Sequence, residues 1–186
     1  IRNRMRRRPR TPLDRLLADL DDDERFAREE AAYRYIEPRP ARHADLEVDP
    51  AVGTVLAERG VERFYSHQAE GVTAVRRGEH VVAMTPTASG KSLIYNLPVM
   101  EAARADPAAR ALYVFPLKGL ERDQVGTLAE LLGALGLALE GESEDGGLAA
   151  AEVYDGDTPE ARRARIRQRP PTALLTNPDM LHLALL

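Results

Sequence analysis

The sequence predicts an α/β protein built on a parallel, doubly wound sheet. Short apolar runs of strand length alternate with longer segments in which apolar residues recur at helical spacing. That alternation favours parallel strands joined by right-handed helical crossovers. Polar turns follow the runs that end near residues 84, 115, 154 and 175. Because ligands bind beyond the carboxyl ends of parallel strands, we expect these turns to share the functional edge of the sheet.

Composition and charge exclude several classes of site. The chain has 186 residues, a formal net charge of -4 and no cysteine. It therefore offers no disulfide, thiolate metal site or thiol nucleophile, while a net charge of this size neither favours nor excludes nucleic acid as a partner. No apolar run is long enough to span a bilayer, and no segment resembles a signal peptide. We therefore expect a soluble, cytoplasmic protein without a membrane partner.

Residues 1–48 are predicted to form a basic arm and a helical extension. The first ten residues include six arginines and no acid, which favours a solvated leader over a nucleic-acid-binding arm and leaves both interpretations open. Thr11, Pro12 and Asp14 supply a hydroxyl cap, a proline and an acid in the order typical of a helix start. The helix is expected to continue beyond its first turns, before an extended linker at residues 39–46.

Residues 49–186 are predicted to form the main domain, which opens with two helices. Asp49 and Pro50 mark the start of the first helix. A short connection precedes Ser66, which is the predicted cap of the second helix, and Gly78 ends that helix.

The most informative stretch joins an apolar run to a helix through a turn of small residues. Residues 81–84 form a continuous apolar run, the pattern of a strand buried on both faces of a parallel sheet. Helical spacing begins at Lys91 and Ser92. The turn between them consists of Thr85, Pro86, Thr87, Ala88, Ser89 and Gly90. Small side chains let backbone N–H groups approach phosphate oxygens closely, so the stretch predicts a nucleotide phosphate loop.

Two side chains of this stretch supply the remaining chemistry. Among 26 lysines and arginines, only Lys91 and Lys118 are lysines, which indicates that a compact point charge is required at Lys91. Lys91 is predicted to neutralise the β and γ phosphates of a nucleoside triphosphate, and the Ser92 hydroxyl to bind Mg²⁺. Thr85 stands where the strict pattern has its first glycine, so a turn without a ligand stays an alternative.

Three further strands follow the phosphate loop. The first is predicted at residues 111–115, the second ends at Val153 and Tyr154, and the third is at residues 172–176. A helix is expected to run from about Val125 to Gly133, and a short arginine-rich helix to begin at Thr158 and Pro159. Between them, residues 139–148 are glycine-rich, acidic and aperiodic, which indicates a flexible surface loop.

The two ends of the sequence indicate a piece of a longer chain. The first residue is Ile1 rather than methionine, and residues 180–186 are an apolar run without a capping or breaking residue. We therefore expect further residues on either side of this sequence.

The strand-end turns resemble one family in particular. The matching text lies at residues 65–70, 85–92, 115–118 with 123–124, 154–159 and 175–182. It is similar to the first part of the motor core of a superfamily 2 helicase. Within that superfamily it most resembles bacterial DEAD/DEAH-type DNA helicases of the mitomycin repair factor A kind, which carry a C-terminal cysteine cluster. The resemblance implies a P-loop, RecA-like domain with flanking helices, incomplete here and preceded by a helical extension.

The resemblance also implies a role for each matching residue. Gln68 would read the adenine edge, with Phe64 or Tyr65 stacking on the base or filling the core, while Lys91 and Ser92 would bind phosphate and Mg²⁺. The residues implied to hold the backbone of single-stranded DNA are Pro116, Leu117, Lys118, Gly156, Asp157, Thr158, Thr176, Asn177, Pro178 and Asp179. In the family, the segment that follows the position of Lys118 is usually rich in alanine. Gly119, Glu121 and Arg122 differ from that pattern.

The intact protein is accordingly expected to use ATP to translocate on single-stranded DNA and to unwind duplex DNA, in DNA repair. An acidic D-E-x-H box and a second RecA-like domain with an arginine finger would lie beyond Leu186. Without these groups, the present chain is expected to bind nucleotide but to hydrolyse it poorly. A different P-loop enzyme and a non-catalytic nucleic-acid-binding module are the alternatives.

Overall fold

The computed structural model describes residues 11–23, 40–137 and 150–185. The chain divides into two units, residues 1–40 and residues 41–186. The predicted arginine arm, the continuation of the first helix and the loop at residues 139–148 lie outside the described residues.

The first unit contains helix α1 (Pro12–Asp22), which begins where the sequence predicts. The Thr11 hydroxyl accepts a hydrogen bond from the Asp14 N–H at 3.1 Å, and the Asp14 carboxylate accepts one from the Thr11 N–H at 2.9 Å. This reciprocal capping box satisfies two N–H groups that would otherwise lack partners at the helix start.

The second unit opens with two short strands that the sequence did not predict. Strand β1 (His43–Ala44) pairs in antiparallel fashion with β2 (Phe64–Tyr65), and helix α2 (Pro50–Glu58) lies between them in the chain. The prediction of an extended linker at 39–46 and a simple connection before Ser66 was therefore incomplete. A two-residue strand is too short to show the alternation that identifies strands in sequence.

Helix α3 (Ser66–Arg76) follows β2 directly, and its cap differs from the prediction. Ser66 is already helical, and Tyr65 is the N-cap residue. The predicted Ser66 cap is therefore wrong: the side-chain oxygen of Gln68 accepts the Tyr65 N–H at 2.9 Å instead. Gly78 ends the segment as predicted, with the positive φ of 78° that glycine adopts readily.

The sheet confirms the predicted parallel α/β architecture. Strands β3 (Ala111–Val114), β4 (Ala151–Val153) and β5 (Ala173–Thr176) are parallel in the order β3-β5-β4. In register, Val114 lies opposite Thr176 and Val153 opposite Leu175, so all three strands end at one edge. The other helices are α4 (Ser92–Ala105), α5 (Lys118–Ala134), α6 (Glu160–Gln168) and α7 (Pro178–Leu185).

One hydrophobic core joins the sheet to helices α2, α3, α4 and α5. Its least exposed members are Val52, Val72, Leu97, Met100, Leu128, Leu132, Ala173 and Leu175. The Tyr113 hydroxyl on β3 donates a hydrogen bond to the Asn96 side-chain oxygen on α4 at 3.1 Å, which satisfies two buried polar groups. Helix α4, which follows the phosphate loop, is thereby fixed against β3.

The predicted strand at residues 81–84 is absent from the structure. These residues form neither helix nor strand, and the exposed fractions of Val82 and Met84 are 87% and 90%. An apolar run of this kind becomes a buried strand only beside strands that accept and donate its backbone hydrogen bonds. Within the described residues, β3, β4 and β5 pair only with one another, so residues 81–84 have no neighbouring strand.

Candidate functional site

The loop at residues 85–90 wraps around the side-chain ammonium group of Lys91. Lys91 Nζ donates hydrogen bonds to the backbone oxygens of Thr85 at 2.8 Å and Pro86 at 2.7 Å. The hydroxyl groups of Thr85 and Ser89 are 2.6 Å apart and join the two ends of the loop, and the Ser89 hydroxyl also lies 3.4 Å from Lys91 Nζ. The lysine charge is thus held at the centre of the loop, where the sequence predicts the phosphates of ATP.

The backbone of this loop fits a phosphate group. In the part of the chain that the structure describes, the N–H groups of Gly90, Lys91 and Ser92 donate no hydrogen bond. Ala88 and Gly90 have positive φ values of 59° and 73°. Free N–H groups at a helix start and left-handed residues before it are features of anion-binding loops. Ser92 occupies the first turn of α4, and its hydroxyl is chemically suited to Mg²⁺.

Helix α3 holds the loop at two consecutive carbonyl groups. Gln68 Nε2 donates a hydrogen bond to the Gly90 oxygen at 3.0 Å, and His67 Nε2 lies 3.0 Å from the Ser89 oxygen. Gln68 is buried, and its amide oxygen is already bonded to the Tyr65 N–H. The glutamine that was predicted to read adenine therefore also connects the start of α3 to the phosphate loop, and its contact with a base stays a prediction.

Tyr65 lies between two imidazole rings beside this loop. Its ring centroid is 5.2 Å from that of His43 and 5.7 Å from that of His67, with nearly parallel planes in the second pair. Phe64, the other residue predicted to stack or fill the core, packs against the hydrophobic core. The structure therefore favours Tyr65 over Phe64 as the exposed ring near the loop.

Substituting Gly90 with alanine is expected to disrupt the loop. A Cβ atom at this position would lie 2.5 Å from Gln68 Nε2, and an L-residue at this φ costs about 1–2 kcal/mol. Gln68 cannot withdraw without losing its bonds to Tyr65 and Gly90. We expect Gly90→Ala to weaken binding of a fluorescent ATP analogue at least tenfold, while Gly60→Ala, which meets no atom within 4 Å despite its positive φ, leaves binding unchanged.

A second cluster joins the turns after β3 and β4. Lys118 Nζ lies 2.9 Å from Asp157 Oδ2, and Arg122 Nη2 lies 3.5 Å from the same oxygen. The three side chains are about half exposed or more. The ion pair raises the pKa of Lys118 and lowers the pKa of Asp157, chiefly through their mutual hydrogen bond. Two segments predicted to contact DNA are therefore adjacent.

The turn that carries Asp157 is held in place by side chains on both sides. Asp155 is buried, and its Oδ1 accepts hydrogen bonds from the N–H groups of Asp157 and Thr158 and from the Thr158 hydroxyl, each at 2.9 Å. From helix α6, Arg163 Nη2 donates to the backbone oxygens of Asp155 at 2.7 Å and Gly156 at 3.0 Å. The turn therefore has a defined conformation before any ligand binds.

The predicted residues after β5 differ in their exposure. Thr176 and Asn177 are buried: the Thr176 hydroxyl donates to the Tyr154 oxygen at 2.7 Å, and Asn177 Oδ1 accepts the Met180 N–H at 2.9 Å. Pro178 and Asp179 are exposed. In this structure, Thr176 and Asn177 therefore stabilise the turn and the start of α7, and only Pro178 and Asp179 present side chains to solvent.

Glu121 on α5 is a buried acid next to these turns. Its side chain is inaccessible to solvent, and neither carboxylate oxygen has a hydrogen-bond partner of suitable geometry among the described residues. Burial raises the pKa of Glu121, and the nearby charge of Asp155 raises this pKa further. Asn177, Lys118 and Arg122 act in the opposite direction and lower it. An uncompensated buried carboxylate destabilises the fold when it is ionised.

We expect Glu121→Gln to stabilise the protein at neutral pH. A carboxyl group with a raised pKa in the folded state binds more protons when folded, so stability falls as pH rises above about 4.3, the ordinary value for glutamate. The decrease ends above the folded-state pKa of Glu121. Unfolding by urea at several pH values is expected to show this decline in the wild type and to show it reduced in the glutamine variant. Equal pH dependence in the two proteins would contradict the assignment.

The comparison with known proteins identifies the family. A sequence profile of the DEAD/DEAH box helicase family matches residues 65–186, which include the phosphate loop and all three strand-end turns. The chain belongs to the DEAD/DEAH box helicase family. The resemblance inferred from the motifs is thereby confirmed at the level of the family.

This helicase chain is similar to several proteins of known name. It is 37% identical to the ATP-dependent helicase YprA of Bacillus subtilis over 94% of its own length and 22% of that protein. The ATP-dependent helicase HRQ1 of Saccharomyces cerevisiae is 38% identical over 67% of the chain and 11% of that protein. The crystal structure of the DUF1998 helicase MrfA bound to DNA and AMPPNP matches 92% of the chain with a TM-score of 0.76 and 37% identity.

The match to MrfA confirms the narrower resemblance that the motifs predicted. The chain covers 22% of the MrfA chain in that structure, so it spans about a fifth of the length of YprA and of MrfA. Within the residues that the structure describes, no helix combines the length and the apolar character that a bilayer crossing needs.

The structure groups the predicted site residues of this helicase chain into two clusters. Residues 85–92 with Tyr65 and Gln68 form the first, and the turns after β3, β4 and β5 form the second. Sequence reasoning missed Asp155, Glu121 and Arg163. The spacing of Asp155 and Thr158, an aspartate followed at the third residue by threonine, is the one signal that predicts a side-chain-capped turn. The contacts of Glu121 and Arg163 are not local and leave no such pattern.

Proposed function

We propose that this chain is the ATP-binding part of an ATP-dependent DNA helicase. The observation that carries the proposal is the loop at residues 85–90, which encloses the Lys91 ammonium group and leaves the N–H groups of Gly90, Lys91 and Ser92 free. A loop with a central cation and unused donors is complementary to the phosphates of a nucleotide. Membership of the DEAD/DEAH box family supports ATP as that nucleotide.

Each residue of the loop has a proposed task. Lys91 exchanges its bonds with Thr85 and Pro86 for the β and γ phosphates, and Ser92 supplies a hydroxyl ligand for Mg²⁺. Bound Mg²⁺ would neutralise charge on the phosphate oxygens. The side chains of Thr85 and Ser89 hold the loop closed behind the phosphates. Tyr65 and Gln68 are proposed to contact the adenine, since both lie beside the loop.

The second cluster is proposed to hold the backbone of single-stranded DNA. Lys118 offers a cation, the turn at Gly156 and Asp157 is held rigidly, and Pro178 and Asp179 are exposed at the neighbouring strand end. Pro116 and Leu117 precede Lys118 and are also exposed. Contacts of this kind involve phosphate and sugar, so we expect little preference for base sequence. MrfA, a similar protein, has been crystallised with DNA.

The complete motor is proposed to require segments outside this chain. YprA is more than four times as long as this chain, since the 94% of the chain that matches makes up only 22% of that protein. We propose that a second RecA-like domain and the acidic box follow, that the whole protein translocates on single-stranded DNA in cytoplasmic DNA repair, and that this chain alone hydrolyses ATP poorly. Phosphoryl transfer depends on positioned charges, and half of them would be absent here.

The experiment that tests the proposal measures ATP hydrolysis and strand displacement by the full-length protein with and without single-stranded DNA. We expect hydrolysis that DNA stimulates and unwinding that requires ATP. DNA binding that neither an ATP analogue nor Lys91→Ala alters, without any hydrolysis, would overturn the proposal and support a non-catalytic binding module. Phosphoryl transfer to a small molecule would instead indicate a different P-loop enzyme.

A further inference from the structure

The ion pair between Lys118 and Asp157 lies inside the surface proposed to bind DNA, and it poses a physical problem. Lys118 is the cation that the motif provides for a phosphate, yet the Asp157 carboxylate already lies 2.9 Å from its Nζ atom. A phosphate oxygen and this carboxylate oxygen would compete for the same donor. DNA can contact Lys118 directly only if Asp157 gives up its bond.

Arg122 extends the site by a second cation. It lies four residues after Lys118 on α5, so the two side chains share one face of the helix. Its Nη2 atom is 3.5 Å from the Asp157 oxygen that Lys118 contacts, and 68% of its side chain is exposed. The single carboxylate oxygen therefore lies between two cations, as an oxygen of a bridging phosphate would.

The position of Asp157 is fixed by the fold. Asp155 bonds the Asp157 N–H, and Arg163 bonds the carbonyl groups of Asp155 and Gly156. Lys118 Nζ would lie only 3.7 Å from a Cβ atom added to Gly156, which shows how closely the lysine approaches the turn. A turn restrained at three backbone groups presents its carboxylate to α5 without losing further conformational entropy.

We propose that Lys118 and Arg122 form a two-cation site for a phosphodiester group of single-stranded DNA, and that the Asp157 carboxylate occupies this site when DNA is absent. The inference rests on the proposed function, because the ligand is the DNA of the proposed interface. It adds Arg122 to the interface and changes the role of Asp157 from a contact that attracts DNA to a competitor that DNA must displace.

Salt dependence distinguishes a competitor from a simple ligand. A phosphate that binds a free cation releases condensed counterions, which gives a slope of about -0.7 per phosphate in log K against log salt for single strands. In the wild type, the displaced Asp157 carboxylate regains a counterion and partly cancels this release. The competing ion pair is also screened as salt rises. Removing the carboxylate is therefore expected to tighten binding at low salt and to steepen the slope.

The test measures binding of a fluorescein-labelled oligothymidylate to the full-length protein by anisotropy, over a series of KCl concentrations. We expect Asp157→Asn to bind about twofold to fivefold more tightly at low salt, the range of an exposed ion pair, with the advantage shrinking as salt rises. The matched control is Glu130→Gln on α5, the helix that carries Lys118 and Arg122; it removes an equal charge and an exposed ion pair with Arg59. Glu130 is roughly 18 Å from Lys118 along the axis of α5, so its substitution should change little.

Two further variants separate the possible failures. In a Lys118→Met, Arg122→Met background, Asp157→Asn should no longer tighten binding, because the cations for which it competes are absent. If Asp157→Asn binds no more tightly than Glu130→Gln, or binds less tightly, while Lys118→Met still weakens binding, the inference is overturned and the proposed interface stands. If Lys118→Met binds as the wild type does, both the interface and the inference are overturned.

Discussion

Replacement of Lys91 by alanine is expected to reduce ATP hydrolysis by the full-length protein at least about a hundredfold, the size of effect seen when one positioned hydrogen-bond donor is removed from an active site. The Lys91 ammonium group lies at the centre of the phosphate loop and is bonded to Thr85 and Pro86. Steady-state phosphate release in the presence of single-stranded DNA is the measurement.

The chain provides its own matched control for this prediction, because Lys118 is the only other lysine. Lys118→Ala removes the same side chain from the proposed DNA surface, so it should weaken DNA binding and leave hydrolysis without DNA unchanged. Lys91→Ala should have the opposite profile and bind the labelled oligothymidylate normally. If Lys91→Ala loses DNA binding but hydrolyses ATP normally, the two lysines have been assigned to the wrong ligands.

The helices and the parallel sheet could be predicted because their signals are local. Thr11 caps α1 as predicted, with Asp14 in the first turn, and Asp49 caps α2 through the N–H groups of Ala51 and Val52. Helix α5 was predicted to begin near Val125, but it begins at Lys118. Polar residues occupy its first turns, so apolar periodicity detects only the later part of the helix.

The strand predicted at residues 81–84 shows where local patterns fail. Its apolar composition is suited to a buried strand, but a strand also depends on neighbouring strands from distant parts of the sequence. Val82 and Met84 are exposed because the described residues provide no strand beside them. The exposed fractions of Leu112 and Val114 on β3, 52% and 43%, are a second sign that apolar surface of this sheet is uncovered by the described residues.

The candidate site divides in the same way between local and distant contributions. The phosphate loop is one continuous segment, so residue types and spacing identify it. The contacts of Lys118 with Asp157 and of Gln68 with Gly90 join residues that are 39 and 22 positions apart. No pattern in one sequence predicts such pairs. A motif therefore locates the nucleotide site. Which donors and acceptors around it are already paired can be seen only in the folded structure.

Removal of Arg162 on α6 is expected to destabilise the fold, because its guanidinium group pairs with a buried acid on the sheet. Glu152 on β4 is 3% exposed, and Arg162 on α6 donates to both of its carboxylate oxygens, at 2.9 Å and 2.7 Å from Nη2 and at 3.0 Å from Nε. Arg162→Met leaves this buried carboxylate without its guanidinium partner. Such a change costs about 3 kcal/mol when the remaining charge stays buried. Urea unfolding followed by circular dichroism measures the loss.

A double variant separates the cost of leaving Glu152 buried without the Arg162 guanidinium from the value of the ion pair itself. Glu152→Met with Arg162→Met replaces both partners by apolar side chains, so most of the stability lost in Arg162→Met should return. The exposed pair of Arg59 and Glu130 is the control, because its loss should change stability by less than about 1 kcal/mol. If the double variant is as unstable as Arg162→Met, the guanidinium stabilises the protein through its packing on β4, and the buried charge is not the cause.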